Sequence, residues 1–231
     1  MSADIDLSTD PLTGLLSRGA ILQVVAEEVH RASEEHPVSL ALLDVDNFAP
    51  FDHEHGIEVG DALLVTLAQE LRQRAGEAAT VARYARDTFL FILPNRQADE
   101  AFLATERIRA TFDDRPVVLQ LPSGGTFTAQ ITLSGGVAAY PSAAVQNERE
   151  LLRQANAALF RAKTGGRART AFAQPERLEP KTVHFAPGQL RRLSELSHMT
   201  GRSEASLLRE ALDDLLAKYY SQRLSSAQRQ G

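Results

Sequence analysis

Val38-Ser39-Leu40-Ala41-Leu42-Leu43-Asp44-Val45-Asp46-Asn47-Phe48 is the stretch on which the reading of this chain turns. Val38–Val45 is a nearly continuous apolar run, suited to a buried strand. It runs into two carboxylates, Asp44 and Asp46, whose i, i+2 spacing points both to one face at the strand's polar mouth. Carboxylates in such a place suit Mg²⁺, a hard cation that takes oxygen ligands and often shares them with phosphates. The same residues also describe a strand entering an Asp/Asn turn. Spacing alone leaves both readings open.

Outward from this stretch, helical and extended patterns alternate. Ala20–Ser33 and Asp61–Arg74 carry apolar residues at helical spacing. Thr80–Tyr84 and Phe89–Leu93 are short strands separated by Ala85-Arg86-Asp87-Thr88, which predicts a hairpin. Ala98–Phe112 is helical, and Val117–Leu121, Thr126–Thr132 and Gly135–Ala139 are strand-like. Glu148–Lys163 makes a last helix and Arg169–Phe172 a last strand. The class expected is mixed α/β with antiparallel hairpins.

The chain has 231 residues, 43% hydrophobic and 24% charged, so it has apolar material for a core and is not disordered throughout. The absence of cysteine excludes disulfides, thiolate metal sites and cysteine nucleophiles. No apolar run approaches the ~20 residues of a membrane span. The acidic start, Met1-Ser2-Ala3-Asp4-Ile5-Asp6, lacks a signal-peptide core, so a soluble cytoplasmic protein with no membrane partner is expected. The net charge of −5 hides an asymmetry: from Arg177 onward nine Lys/Arg face six Asp/Glu, leaving +3 there and −8 before it. Gln174-Pro175-Glu176-Arg177-Leu178-Glu179-Pro180, polar and twice interrupted by proline, reads as a linker. The expected organisation is a domain over 1–173, a linker over 174–180, a second domain over 181–220 and a frayed polar tail over 221–231.

Several segments stand in a telling order. Asp10-Pro11-Leu12-Thr13-Gly14-Leu15 opens the first domain, Asp44-Val45-Asp46-Asn47-Phe48 is followed by Gly60-Asp61-Ala62-Leu63-Leu64, and Arg83-Tyr84-Ala85-Arg86-Asp87-Thr88-Phe89 comes next. Ser134-Gly135-Gly136-Val137 and Ala162-Lys163-Thr164-Gly165-Gly166-Arg167 complete the set. Together they resemble the GGDEF domain of diguanylate cyclases over roughly residues 8–173. The resemblance implies an α/β (α+β), palm-like fold with a central antiparallel-rich sheet. It also implies an activity, the joining of two GTP molecules into cyclic di-GMP by metal-assisted attack of a 3′-hydroxyl on an α-phosphate. By that resemblance Asp44 and Asp87 are the Mg²⁺ carboxylates, Asp61 reads guanine, and Lys163 and Arg167 meet phosphate. Acidic groups for the metal and cations for the triphosphate make chemical sense together.

The departures from the family pattern bear on positioning and charge, the terms that dominate phosphoryl transfer. Arg86 stands where a glycine lets backbone approach phosphate, and Thr88 replaces an acid. Ala49 replaces a lysine, and Asp52 replaces a guanine-contacting asparagine; an ionised carboxylate cannot donate a hydrogen bond to a base. No useful cyclase activity is expected. Two readings of the site remain: residual binding of Mg²⁺ and a guanine nucleotide with Arg86 facing a phosphate, or Arg86 filling an empty pocket and pairing with a surviving aspartate. The family's product-binding Arg-x-x-Asp falls on Gly76-Glu77-Ala78-Ala79, so cyclic di-GMP binding by that route is not expected.

In the second domain Lys181-Thr182-Val183-His184-Phe185 alternates, with Val183 and Phe185 on one face. Pro187-Gly188 begins a helix with Leu190, Leu193 and Leu196, Gly201 stops it, and Ser203 caps a second helix over Glu204–Tyr220. One strand and two helices cannot bury this apolar surface alone, and a lone strand leaves an open edge; dimerisation resolves both. The pattern resembles ribbon-helix-helix proteins over roughly residues 180–220, in which paired strands enter the DNA major groove. The resemblance makes Thr182 and His184 base-reading residues, places Ser203 and Arg202 at phosphate, and lets Lys181 reach the DNA backbone. The expected protein is a homodimeric DNA-binding regulator with an inactive GGDEF domain as nucleotide sensor or oligomerisation module. A weak or altered diguanylate cyclase and a dimeric scaffold that does not bind DNA are the alternatives.

Overall fold

β1 (Val38–Val45) is buried along its whole length and lies at the centre of a five-stranded sheet of order β2-β3-β1-β6-β7. The structure, a computed structural model, describes residues 8–113, 115–142, 145–173 and 182–200, together with 203–205, 207, 208, 211, 212 and 215. The chain divides into two units, Met1–Glu176 and Arg177–Gly231.

In the first unit β1 pairs antiparallel with β3 (Thr88–Pro94) on one side and with β6 (Leu133–Tyr140) on the other. β2 (Thr80–Arg83) forms the expected hairpin with β3 and sits at one edge. At the other edge β7 (Thr170–Phe172) pairs with β6 as the sheet's one parallel neighbour. β4 (Val117–Gln120) and β5 (Thr126–Ala129) form a separate two-stranded ribbon. The strand expected over Thr126–Thr132 is therefore corrected: it ends at Ala129, and pairing resumes only at Leu133 in β6.

Strand alternation divides the core in two. Leu40 and Leu42 point to the side where α1 (Arg18–Arg31) and α5 (Glu148–Thr164) supply Ile21, Val25, Leu151 and Ala155. Ala41, Leu43 and Val45 point to the side of α3 (Ile57–Ala75) and α4 (Ala98–Ala110), among Leu63, Leu67, Ala101 and Ile108. Helices on both faces explain why β1 is apolar at nearly every position. α5 lies directly on β6 because Gly136 has no side chain. A Cβ there would stand 2.2 Å from the Leu159 nitrogen and 2.4 Å from the Ala155 oxygen.

A short helix not expected from sequence, α2 (Phe48–His55), follows β1 at once. Asn47 makes the bend in the left-handed region at φ 56°, which asparagine tolerates better than most residues. β1 thus runs into a turn at Asp46-Asn47, as the strand-into-turn reading expects. α3 starts at Ile57 rather than Asp61, so Gly60 lies inside its first turns.

In the second unit α6 (Pro187–Thr200) begins as expected, with proline at its first position. The Ala186 amide donates to Gln189 Oε1 at 2.9 Å. Glu204, Ala205, Leu207, Leu208, Ala211, Leu212 and Leu215 are helical, and the Leu207 amide donates to the Ser203 carbonyl at 3.1 Å, where this helix starts. The strand expected over Lys181–Phe185 is not formed in its described part: Thr182–Phe185 is irregular. A strand exists only through a ladder partner, and the sequence offers this segment one only in another chain. Lys181, Gly201 and Arg202 lie outside the described residues, as do the linker and the whole tail.

Candidate functional site

Asp44 is the last even-numbered residue of β1 and therefore continues the Leu40/Leu42 face, beneath the C-terminal end of α5. Its side chain is 5% exposed, and both of its oxygens are engaged. Lys163, in the last turn of α5, brings Nζ to 2.5 Å from Oδ1. Thr88, directly across the ladder on β3, donates Oγ1 to Oδ2 at 2.7 Å. Thr88 thus binds the very carboxylate that an acid at its position would repel.

Asp46 does not share this role. Its Oδ1 accepts from Ser134 Oγ at 2.7 Å, and its Oδ2 accepts from Thr132 Oγ1 at 2.8 Å and the Ala168 amide at 3.1 Å. The paired-carboxylate reading of Asp44 and Asp46 is corrected here, because Asp46 lies one residue beyond β1 and its acceptors are filled from β6 and the segment after α5. Asp46 instead pins that segment, where Arg167 and Ala168 both have positive φ, 64° and 47°. Three donors near a carboxylate could have suggested this, but none adjoins it in sequence.

Asp87 occupies the hairpin turn, and its backbone carbonyl accepts from the Val45 amide at 3.1 Å. Burial pushes its carboxyl above the ordinary aspartate range, and the nearby Asp44 charge adds to this against the opposing pull of Lys163 and Arg86. The Asp44 carboxylate beside Asp87 makes a place for a cation, and the Lys163 ammonium stands there. Among the described residues no group of three or more His, Cys, Asp or Glu gathers to hold a metal.

Arg86 crosses the site. Its guanidinium forms an ion pair with Asp52 of α2 and lies 5.5 Å from the centroid of the buried Phe48 ring. Asp52 in turn presses on α3: a Cβ at Gly60 would stand 2.2 Å from its Oδ1. Arg86 does pair with an aspartate, but the partner is Asp52, which stands where the resemblance expects asparagine, and not one of the surviving aspartates Asp44, Asp61 or Asp87. Arg83, which sequence reasoning passed over, props the turn by donating to the Arg86 carbonyl at 2.7 Å while pairing with Asp10 at 3.2 Å. The opening segment is thereby tied to the hairpin. Asp61 is half-buried on α3 and Arg167 is exposed after α5.

A cavity of about 300 Å³ lies elsewhere, between the end of α3 and α4, lined by Ala75, Ala78, Ala79, Leu93, Arg96 and Arg107 among others. It adjoins the segment that lacks the Arg-x-x-Asp pair and touches none of the acidic residues above. In the second unit Thr182, His184 and Ser203 are all exposed.

An antiparallel-rich sheet between two helical layers, with acidic groups at one end of its central strand and hairpin, is the GGDEF-type α/β fold. The chain belongs to the diguanylate cyclase GGDEF-domain family, whose profile matches residues 7–169, and a ribbon-helix-helix domain is matched over 177–220. It is 33% identical over 168 residues to the diguanylate cyclase DgcP of Pseudomonas aeruginosa, covering 71% of this chain and 24% of that one. It is 30% identical over 164 residues to the cyclic di-GMP phosphodiesterase NbdA of the same species, covering 71% and 20%. The crystal structure of the GGDEF domain of DgcB from Caulobacter crescentus in complex with c-di-GMP superposes with a TM-score of 0.67 at 28% identity, covering 75% of this chain and 99% of that one. The chain spans less than half the length of these and other curated relatives that it matches. Among the described residues no helix is long and apolar enough to cross a membrane.

Proposed function

We propose that the chain is a homodimeric DNA-binding regulator, acting in transcription, whose GGDEF domain does not make cyclic di-GMP and serves as a nucleotide sensor or oligomerisation module. The observation that carries this reading is the open apolar face of the ribbon-helix-helix unit. Val183 is 59% exposed, Phe185 38%, Leu212 54% and Leu215 50%. A second copy would bury these residues and give Thr182–Phe185 its ladder partner. In such a ribbon Thr182 and His184 face base edges, while Lys181, Arg202 and Ser203 at the second helix's start meet phosphate.

Lack of turnover is supported by the occupied state of the site. Both Asp44 oxygens are engaged, Arg86 is held by Asp52, and Ala49 offers no cation. Asp44 and Asp87 fit Mg²⁺ in part: they would hold it only with nucleotide phosphates and water completing its shell and with Lys163 displaced from Asp44. Bound there, the ion would supply charge neutralisation at the phosphates and activation of a hydroxyl. Asp52, Asp61, Arg86, Lys163 and Arg167 are the residues proposed to surround a guanine nucleotide.

The persistence of Asp44, Asp87 and Lys163 in mutual reach favours one second reading, a weak or altered cyclase. Metal-dependent GTP turnover by the full chain, abolished by Asp44→Ala and Asp87→Ala, would establish it in place of an inactive body. The regulator reading is tested by fluorescence anisotropy on the DNA upstream of its own gene at about 50 and about 200 mM salt. Saturable, salt-sensitive binding by the full chain, lost in the 1–174 fragment, is expected. No binding there or in a genomic-fragment selection overturns it in favour of a scaffold.

A further inference from the structure

We propose that the cavity between the end of α3 and α4 is a binding site for a small organic acid, one carboxylate on an apolar body of medium-chain length, held by Arg107. The site lies apart from the acidic groups at the end of β1, and the inference does not depend on what those groups bind.

The walls decide what can enter. The cavity holds about 300 Å³, at the lower end of the range of small-molecule sites. Ala75, Ala79, Leu93, Leu103 and Ala104 give it an apolar lining. A second pocket of about 70 Å³ adjoins it, sharing Ala75, Leu93, Ala104 and Arg107, and reaches Leu43, Phe91 and Ile108 of the core. An acyl chain or small ring entering from the surface thus meets apolar groups as it goes inward, and each methylene it buries tightens binding by up to about fourfold.

The polar groups on these walls are committed, with one exception. Thr105 donates Oγ1 to the Ala101 carbonyl at 2.7 Å, and Arg74 pairs with Glu70 at 2.5 Å. Glu100 accepts from the Gln97 amide at 3.2 Å and faces Arg96 at 3.7 Å. Arg109, near the end of α4, is closed by Glu106 and Asp113. Arg107, one turn of chain away on the same helix end, lines both pockets, and its guanidinium has no ion-pair or hydrogen-bond partner among the described residues.

Charge then fixes the class of ligand. Arg96 and Arg107 against Glu100 leave the larger cavity with one net positive charge, which suits a monoanion. A guanidinium presents a planar fork of N–H donors that matches the two oxygens of a carboxylate. A nucleotide matches poorly, because alanine, leucine and proline side chains offer nothing to the edge of a base. Cyclic di-GMP would bring two phosphates and two guanine edges to a wall whose cations outnumber its carboxylate by one.

The experiment titrates octanoate into the full chain carrying isotopically labelled alanine methyl groups, read by NMR, with octanol and acetate as controls. Saturable shifts at Ala75, Ala79 and Ala104 are expected with octanoate. Octanol, which lacks the charge, should bind at least about tenfold more weakly, and acetate, which lacks the apolar body, should leave these methyls unmoved. Arg107→Gln is expected to weaken octanoate at least about tenfold and octanol less than about twofold. Ala104→Leu, which fills the cavity, is expected to abolish both, read at Ala75 and Ala79. Thermal melts confirm folding, and Ala79→Leu stands in if that variant does not fold. Octanoate binding that survives Arg107→Gln or the filled cavity overturns the proposal, as does octanol binding as tight as octanoate. Shifts confined to alanines of the C-terminal unit, or none at millimolar octanoate, also overturn it. Displacement of octanoate by cyclic di-GMP assigns the cavity to a dinucleotide instead.

Discussion

Lys163 Nζ lies 2.5 Å from Asp44 Oδ1, so a cation on the last turn of α5 neutralises a carboxylate at the end of the central strand. With Thr88 on the other oxygen, Asp44 has one hydrogen bond and one ion pair, and its buried Oδ1 lacks a hydrogen-bond donor. Lys163→Met would leave this 5%-exposed carboxylate with one donor, costing about 1–3 kcal/mol of stability. Chemical denaturation checks this. Adding Asp44→Asn to Lys163→Met should recover most of the loss, because no uncompensated charge then remains.

Asp87 gives a pH signature. Its folded carboxyl is raised above the ordinary value of 3.8, chiefly by burial and then by Asp44, so the folded state holds that proton more strongly. The group therefore costs nothing well below the ordinary value and subtracts stability as pH rises through the raised one. Asp87→Asn should melt higher than wild type near neutrality, and the difference should vanish as pH falls below the ordinary aspartate range. Melts across that range decide it.

Asp46 is expected to matter for structure and for cation placement. Asp46→Ala removes the acceptor of Ser134, Thr132 and the Ala168 amide, for an expected loss of about 3 kcal/mol. Amide exchange at Ala168 should accelerate by more than exchange at distant core positions such as Leu90. An unchanged Ala168 would show that the loop is held by something else.

For the C-terminal unit, Phe185→Asp places a charge on the face that a second copy is proposed to cover. The variant should run as a monomer in light scattering at concentrations where wild type is a dimer, and should bind DNA at least about tenfold more weakly. Thr182→Ala with His184→Ala should weaken DNA binding while leaving the dimer intact. That split separates reading from pairing.

The sheet was legible because apolar runs bounded by turns predict strands well, and β1, the β2–β3 hairpin and β6 lie within a few residues of their expected places. α2 was not legible. Its eight residues include Pro50 and a cluster of acids and histidines, and its helicity depends on the Asn47 bend and on Phe48 being buried. In the site, Asp44 was singled out from its place at the end of a strand, and Asp87, Lys163 and Arg167 by family resemblance. The pairing of Arg86 with Asp52 in particular was hidden, since the two are far apart in sequence and each alone reads as a surface charge. Arg83 and Thr88 were missed for the same reason: what they do lies in partners across the sheet.

The ladder of β1 also sets an order of events. Val38 faces Pro94 on one side and Tyr140 on the other, so the central strand gains its second neighbour only once the chain has been made well past its middle. Such non-local pairing is slow and leaves an apolar strand uncovered during synthesis. The ribosome will have released most of the body before β6 can close over β1, and the C-terminal unit emerges later still. Nascent chains of this protein should thus depend on holding chaperones for longer than a helical protein of equal length.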